Sequence, residues 1–166
     1  MRVLGIDCGG AFTGYGVVEQ AGDGSLLWIA SGAIRLRTQD PLCVRLLRVH
    51  EELRTIVLQH RPDVAAIEEI FYAANVKSAL KLGEVRGVAM MTAAGSGLPV
   101  VGYAPLAVKS AVVGYGRAEK SQVQEMVRRL LKLTALPQPA DAADALAIAI
   151  CHLHTAATLA AMTPQT

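Results

Sequence analysis

The sequence is short of aromatic residues and of cysteine, and it holds no long unbroken apolar segment. Only 4% of its 166 residues are Phe, Trp or Tyr, so the core has to be aliphatic, and 27 alanines imply that it is closely packed. Three cysteines (Cys8, Cys43 and Cys151) are too few and too scattered for a disulfide framework or a zinc site, which suggests a reducing compartment. Gly87–Val108 is uncharged, but Gly95, Gly97 and Pro99 break it; Ala145–Thr166 is uncharged, but His152, His154 and several threonines interrupt it. Neither stretch predicts a membrane span. Met1–Asp7 reads as a strand, with no basic segment leading into an apolar one, so no secretory signal is expected and the location predicted is cytoplasmic. Against these deficits stand 52% hydrophobic and 18% charged residues, a balance that excludes intrinsic disorder. The length suits one domain, expected over residues 1–160, with 161–166 as a flexible tail.

A net charge of +2 points to no partner, but its distribution does. Lys77 to Lys132 holds nine Lys or Arg against three acids, and beyond Lys132 the only charges are Asp141 and Asp144. A basic middle and an acidic end suit an anionic ligand over a carboxylate site, although a solvated helix face would also account for the basic residues.

Hydrophobic patterning predicts strands at Arg2–Ile6, Thr13–Glu19 and Leu26–Leu36, the last two separated by a Gly22-Asp23-Gly24 turn. Asp40-Pro41 opens a helix that Arg61-Pro62-Asp63 ends. Val64–Ile67 is a short, continuously apolar strand. A helix at Asn75–Ala94, a strand at Pro99–Tyr103 and helices at Glu119–Leu133 and Ala140–Ala161 complete the order. A meander followed by crossover helices predicts an α/β fold with a mixed five-stranded sheet and helices on both faces.

Four acids stand where charge is costly. Asp7 ends the first strand, Glu68 ends the fourth, and Asp141 and Asp144 begin an apolar helix three residues apart, on one face. Alone, Asp141 would suit a helix start and Asp7 the turn at Gly9-Gly10. Together, carboxylates converging from strand ends and a helix start need cations, and hard oxygen donors select Mg2+ or Mn2+. Two such ions roughly 3.5–4 Å apart would clamp the attacking and leaving oxygens of a phosphodiester.

Six blocks carry a resemblance: G-I-D-C-G (Gly5–Gly9) with T-G-Y-G-V-V (Thr13–Val18), A-I-E-E-I-F (Ala66–Phe71), S-A-L-K-L-G-E-V-R-G-V-A (Ser78–Ala89), A-E-K-S-Q-V (Ala118–Val123) and D-A-A-D-A-L-A-I-A (Asp141–Ala149). From Met1 to about His154, in order and spacing, they resemble the RuvC family of crossover-junction (Holliday junction) endodeoxyribonucleases. The resemblance implies a ribonuclease-H-like fold, a homodimer, and Mg2+-dependent paired nicking of four-way DNA junctions, with RuvA–RuvB as partners. It places the family's catalytic, metal-holding acids on Asp7, Glu68, Asp141 and Asp144. Strand alternation alone does not choose between Glu68 and Glu69; the family pattern, with the acid straight after Ala-Ile, selects Glu68. One departure is Cys8, where the family usually has proline. Successive strand residues point opposite ways and Mg2+ avoids sulfur, so Cys8 is not expected as a ligand.

The same resemblance puts Lys109 and Lys120 at the scissile DNA backbone, Lys120 with a catalytic part. Lys120 lies in the first turn of a helix, where the dipole disfavours a cation and a phosphate partner would explain it. Lys77, Lys81 and Arg86, on or near one face of the second helix, are expected to contact phosphates without reading bases. Phe71 matches a position proposed in the family to wedge into the junction, and stacking of an aromatic on an unpaired base tolerates any sequence. The apolar residues Val85, Val88, Ala89 and Met90 make the second helix the expected dimer face. Two rival readings are a junction binder without catalysis and a nucleotide-binding fragment of the actin and sugar-kinase class. The first sits badly with four retained acids, the second with 166 residues and no room for the second domain such ATPases close on nucleotide.

Overall fold

In the computed structural model, residues 1–70 and 76–162 are described, apart from the side chains of 77 and 159–162. The alternating and continuous apolar runs become β1 (Arg2–Cys8), β2 (Phe12–Gln20), β3 (Leu26–Arg35), β4 (Val64–Glu68) and β5 (Val100–Tyr103). The helices are α1 (Leu42–His60), α2 (Val76–Gly95), α3 (Pro105–Val113), α4 (Lys120–Leu130) and α5 (Ala140–Met162). The sheet runs β3-β2-β1-β4-β5, antiparallel from β3 to β1 and parallel from β1 to β5, which is the expected mixed five-stranded sheet.

One element was not expected. α3 fills a stretch whose even apolar pattern carries no helical stripe; Pro105 starts it in the first turn and Gly114, at φ 94°, ends it. The helix predicted to reach Leu133 stops at Leu130, because Lys132 takes a left-handed conformation at φ 53°. α5 continues to Met162, two residues past the expected domain end, and residues 163–166 lie outside the described residues. Among the described residues, no helix is long and apolar enough to cross a membrane.

Alternation along the strands divides the core. Val3, Val18, Val64 and Ala66 face α3, α4 and α5, whereas Leu4, Ile6, Val17 and Ile67 face α1 and α2. α5 is buried on almost every side over Ala142–Leu153 and presses on β1 and β2. Its approach needs glycine beneath it: a Cβ on Gly5 would overlap the carbonyl of Ala145, and one on Gly14 the carbonyl of Asp141. The four apolar residues named for a dimer face on α2 are engaged within the chain itself. Val85 and Ala89 are buried in the chain's own core, with Val88 and Met90 packed against it. The apolar side chains α2 leaves exposed are Val76, Leu80 and Met91.

Candidate active site

Asp7 continues the row Val3, Gly5 on the α5 face of β1. Glu68 continues the row Val64, Ala66 on the same face of β4, one residue past the last registered pair, Ile6 with Ile67. The period of two therefore turns both carboxylates toward α5. Glu69 has the opposite parity. A Cβ on Gly102 would meet its Oε1 at 2.8 Å, on the α1–α2 side, so register turns Glu68 and not Glu69 to the face of Asp7. Gly14 stands opposite Asp7 and lets the first turn of α5 lie on the strand, which sets Asp141 and Asp144 beside Asp7.

The electrostatics match this convergence. Asp7 is largely buried, and its carboxyl is pushed up to about 7, first by loss of water and then by the charges of Asp144, Glu68 and Asp141. Glu68 is raised by burial and by Asp144, against which Lys109 and Lys120 act. Lys120 Nζ lies 2.5 Å from Asp144 Oδ2. That hydrogen bond holds the ammonium above its ordinary value and offsets the unfavourable dipole at the start of α4. Here a carboxylate takes the place of the expected phosphate. The start of α4 is fixed by a reciprocal cap, with the Glu119 N–H donating to Gln122 Oε1 at 2.8 Å.

Two clefts meet at Asp7 and Glu68. One, about 280 Å³, is completed by Lys109, Lys120, Asp144 and the α3 residues Pro105 and Val108. The other, about 460 Å³, is walled by Cys8, Glu69, Ile70, Leu82 and Leu106. Lys109 enters from α3, the helix that patterning missed; its signal was Pro105 followed nine residues later by Gly114. Cys8 packs toward α1 and α2, and burial pushes its thiol up to about 12.

The expected basic face of α2 is split. Lys81 is exposed, whereas Arg86 is half-buried and its Nε donates to the Glu68 carbonyl at 3.0 Å. Arg86 thus ties down the strand end that carries Glu68, a role that sequence spacing did not suggest. Phe71 and the side chain of Lys77 lie outside the described residues.

The donor set is all carboxylate, hard oxygen suited to a hard divalent ion, which would relieve the mutual repulsion that adds to burial in raising Asp7. Among the described residues no three acid, histidine or cysteine side chains already enclose a common point; Asp144 is met instead by Lys120.

The family model described as "Crossover junction endodeoxyribonuclease RuvC" matches residues 3–152. A protein of that name from Koribacter versatilis is 60% identical over 162 residues, 98% of each chain. The solved structure of Thermus thermophilus RuvC superposes with a TM-score of 0.88 at 36% identity, covering 95% of this chain and 96% of the other. T. thermophilus RuvC in complex with Holliday junction substrate gives 0.90 at 35% identity, with the same coverage.

Proposed function

The chain belongs to the RuvC family of crossover junction endodeoxyribonucleases, and on that footing we propose how its own residues carry out the reaction. It is a nuclease that resolves Holliday junctions, and membership carries dependence on a divalent metal. The observation that supports the site is the convergence of Asp7, Glu68, Asp141 and Asp144 at two strand ends and one helix start, with Asp7 raised by burial and then by the charges of the other three. These four acids hold the metal: Mg2+, two ions per subunit, with Mn2+ able to replace it. When bound, the ions supply an activated water and neutralise charge on the phosphate. Lys109 and Lys120 hold the scissile phosphate beside the carboxylates, and Lys120 stabilises the charge that develops as the bond breaks. Lys120, paired with Asp144 in this structure, would turn its ammonium to the phosphate when Asp144 serves as a metal ligand. Phe71 wedges into the junction, and Lys77 and Lys81 contact backbone. Arg86 acts as a positioning residue for Glu68.

One carboxylate cluster nicks one strand at a time, whereas a four-way junction needs two symmetric nicks. A two-fold homodimer provides the pair of sites. RuvA–RuvB are the partners and the cytoplasm the location that follow. The test is a synthetic four-way junction incubated with and without Mg2+, with linear duplex as control. Paired symmetric nicks dependent on Mg2+ are expected; junction binding with no cutting in Mg2+ or Mn2+ would make the protein a binder only. Mixed dimers with one Asp141→Asn subunit should leave a cruciform plasmid as open circles. Linear product at the wild-type rate, without subunit exchange, overturns the symmetric mechanism.

A further inference from the structure

Every Lys or Arg from position 35 to 61 is arginine, six in all, and none of them has a part in the reaction as described above. Arg48 stands 3.9 Å from Glu52, but among the described residues neither Arg35 nor Arg37 is paired with a carboxylate. Both line a cleft of about 340 Å³ together with Phe12, Thr38 and Gln39. Asp40, the acid nearest in sequence, does not line it.

Register places this cleft relative to the carboxylates. Phe12 stands directly across from Arg35, so their side chains leave the sheet on one face. It is the face of Asp7, because Asp7 pairs with Gly14 and Gly14 with Ala33, two residues before Arg35. Arg35 is two strands and two residues of register from Asp7, roughly 12 Å at ~4.8 Å per strand and ~3.3 Å per residue. That is the rise of about three nucleotides at ~3.4 Å each. The turn between is braced on both sides: the Leu36 N–H donates to the Ala11 carbonyl at 2.8 Å, and Arg45 Nη1 reaches the Gly10 carbonyl at 3.5 Å. Arg45 Nε is enclosed there with no hydrogen-bond partner among the described residues. A guanidinium stays charged at any working pH and offers a planar fork that matches phosphate oxygens. Phe12, 36% exposed, presents an apolar surface beside it.

Resting on the resolvase reading, we propose that Arg35 and Arg37 bind the DNA backbone about three nucleotides from the scissile phosphate, on the side of the carboxylates away from Lys109 and Lys120, with Phe12 against an adjacent sugar or base. The strand to be cut is then gripped on both sides of the acids, which fixes the scissile phosphate against sliding.

The test uses a fluorescent four-way junction in metal-free buffer, with affinity read across a series of NaCl concentrations. Arg35→Ala/Arg37→Ala should flatten the slope of log Kd against log salt by about 1–2, since each phosphate contact contributes ~0.9. Arg35→Lys/Arg37→Lys should restore most of the slope, and Phe12→Ala should weaken binding without changing it. Ethylation of the phosphate about three nucleotides from the nick should block the wild type and leave the double alanine variant indifferent. A double variant that melts like the wild type and keeps both its slope and the ethylation effect overturns the proposal. Failure of the wild type itself to prefer the junction over duplex overturns the resolvase reading, and this site with it.

Discussion

The two faces of the sheet are packed by opposite means. On the α1–α2 face, Leu4, Ile6, Val17 and Ile67 meet Leu53, Ile56 and Val85, and bulk fills the space. On the α5 face the sheet offers Gly5, Gly14 and Gly16, and α5 lies directly on them through Ala145, Asp141 and Leu146, so that main chains touch. The first face is a filled core. The second brings a helix start down onto two strand ends, and there the acids gather. Close approach of backbones is what makes carboxylates from three separate elements neighbours; bulky side chains would have held them apart.

That contrast can be tested from both sides. The largest effect belongs to the acids: Asp141→Asn or Asp7→Asn should cut cleavage roughly 10³-fold or more while junction affinity holds or rises, as gel shift at matched salt would show. Glu69→Gln, one residue from Glu68 but on the other face, should leave cleavage nearly unchanged. A loss equal to that of Glu68→Gln would refute the division by face.

Lys120→Ala comes next. Single-turnover cleavage should fall about 10²–10³-fold with a small change in affinity, the pattern of a group acting on developing charge. A defect confined to affinity would make Lys120 an ordinary anchor.

Packing should follow the same division. Gly5→Val drives side-chain atoms into the Ala145 carbonyl, and urea unfolding should show a loss of about 3 kcal/mol together with loss of cleavage. Ile6→Val, the next residue on the opposite face, should cost only about 0.5–1.5 kcal/mol and spare activity.

A pH dependence is also expected. Between 3.8, where an ordinary aspartate ionises, and about 7, the native protein keeps a proton on Asp7 that the unfolded chain has lost. The native state binds more protons there, so metal-free stability should fall as pH rises through that window, by about 1–3 kcal/mol, and level off above it. Asp7→Asn should flatten the profile, and so should Mg2+, whereas Ile6→Val should shift it without changing its shape. Thermal melts at pH 4.5 and 8 measure all three.

Much of this was legible along the chain. Strand alternation, the Pro41 and Pro62 boundaries and the apolar run at Val64–Ile67 are local signals, and they yielded the sheet and the helices of both faces. The acids stood out because charge amid Val, Ile and Ala is costly wherever the chain goes. Other features are not local. α3 lacked a stripe because it is apolar nearly all round, so only its proline and glycine ends marked it. The face of Glu68 depends on how β4 registers with β1, and a shift of one residue would have turned Glu69 inward instead. Val85 and Ala89 looked like an interface because a buried helix stripe and a dimer stripe share one pattern; what covers them is α1 and the sheet of the same chain. The pairing of Lys120 with Asp144 and the tie from Arg86 to the Glu68 carbonyl join residues 24 and 18 positions apart. Composition and periodicity specify which residues must be buried or neutralised; which neighbour does the neutralising is a matter of distance, and distance exists only once the helices have closed on the sheet.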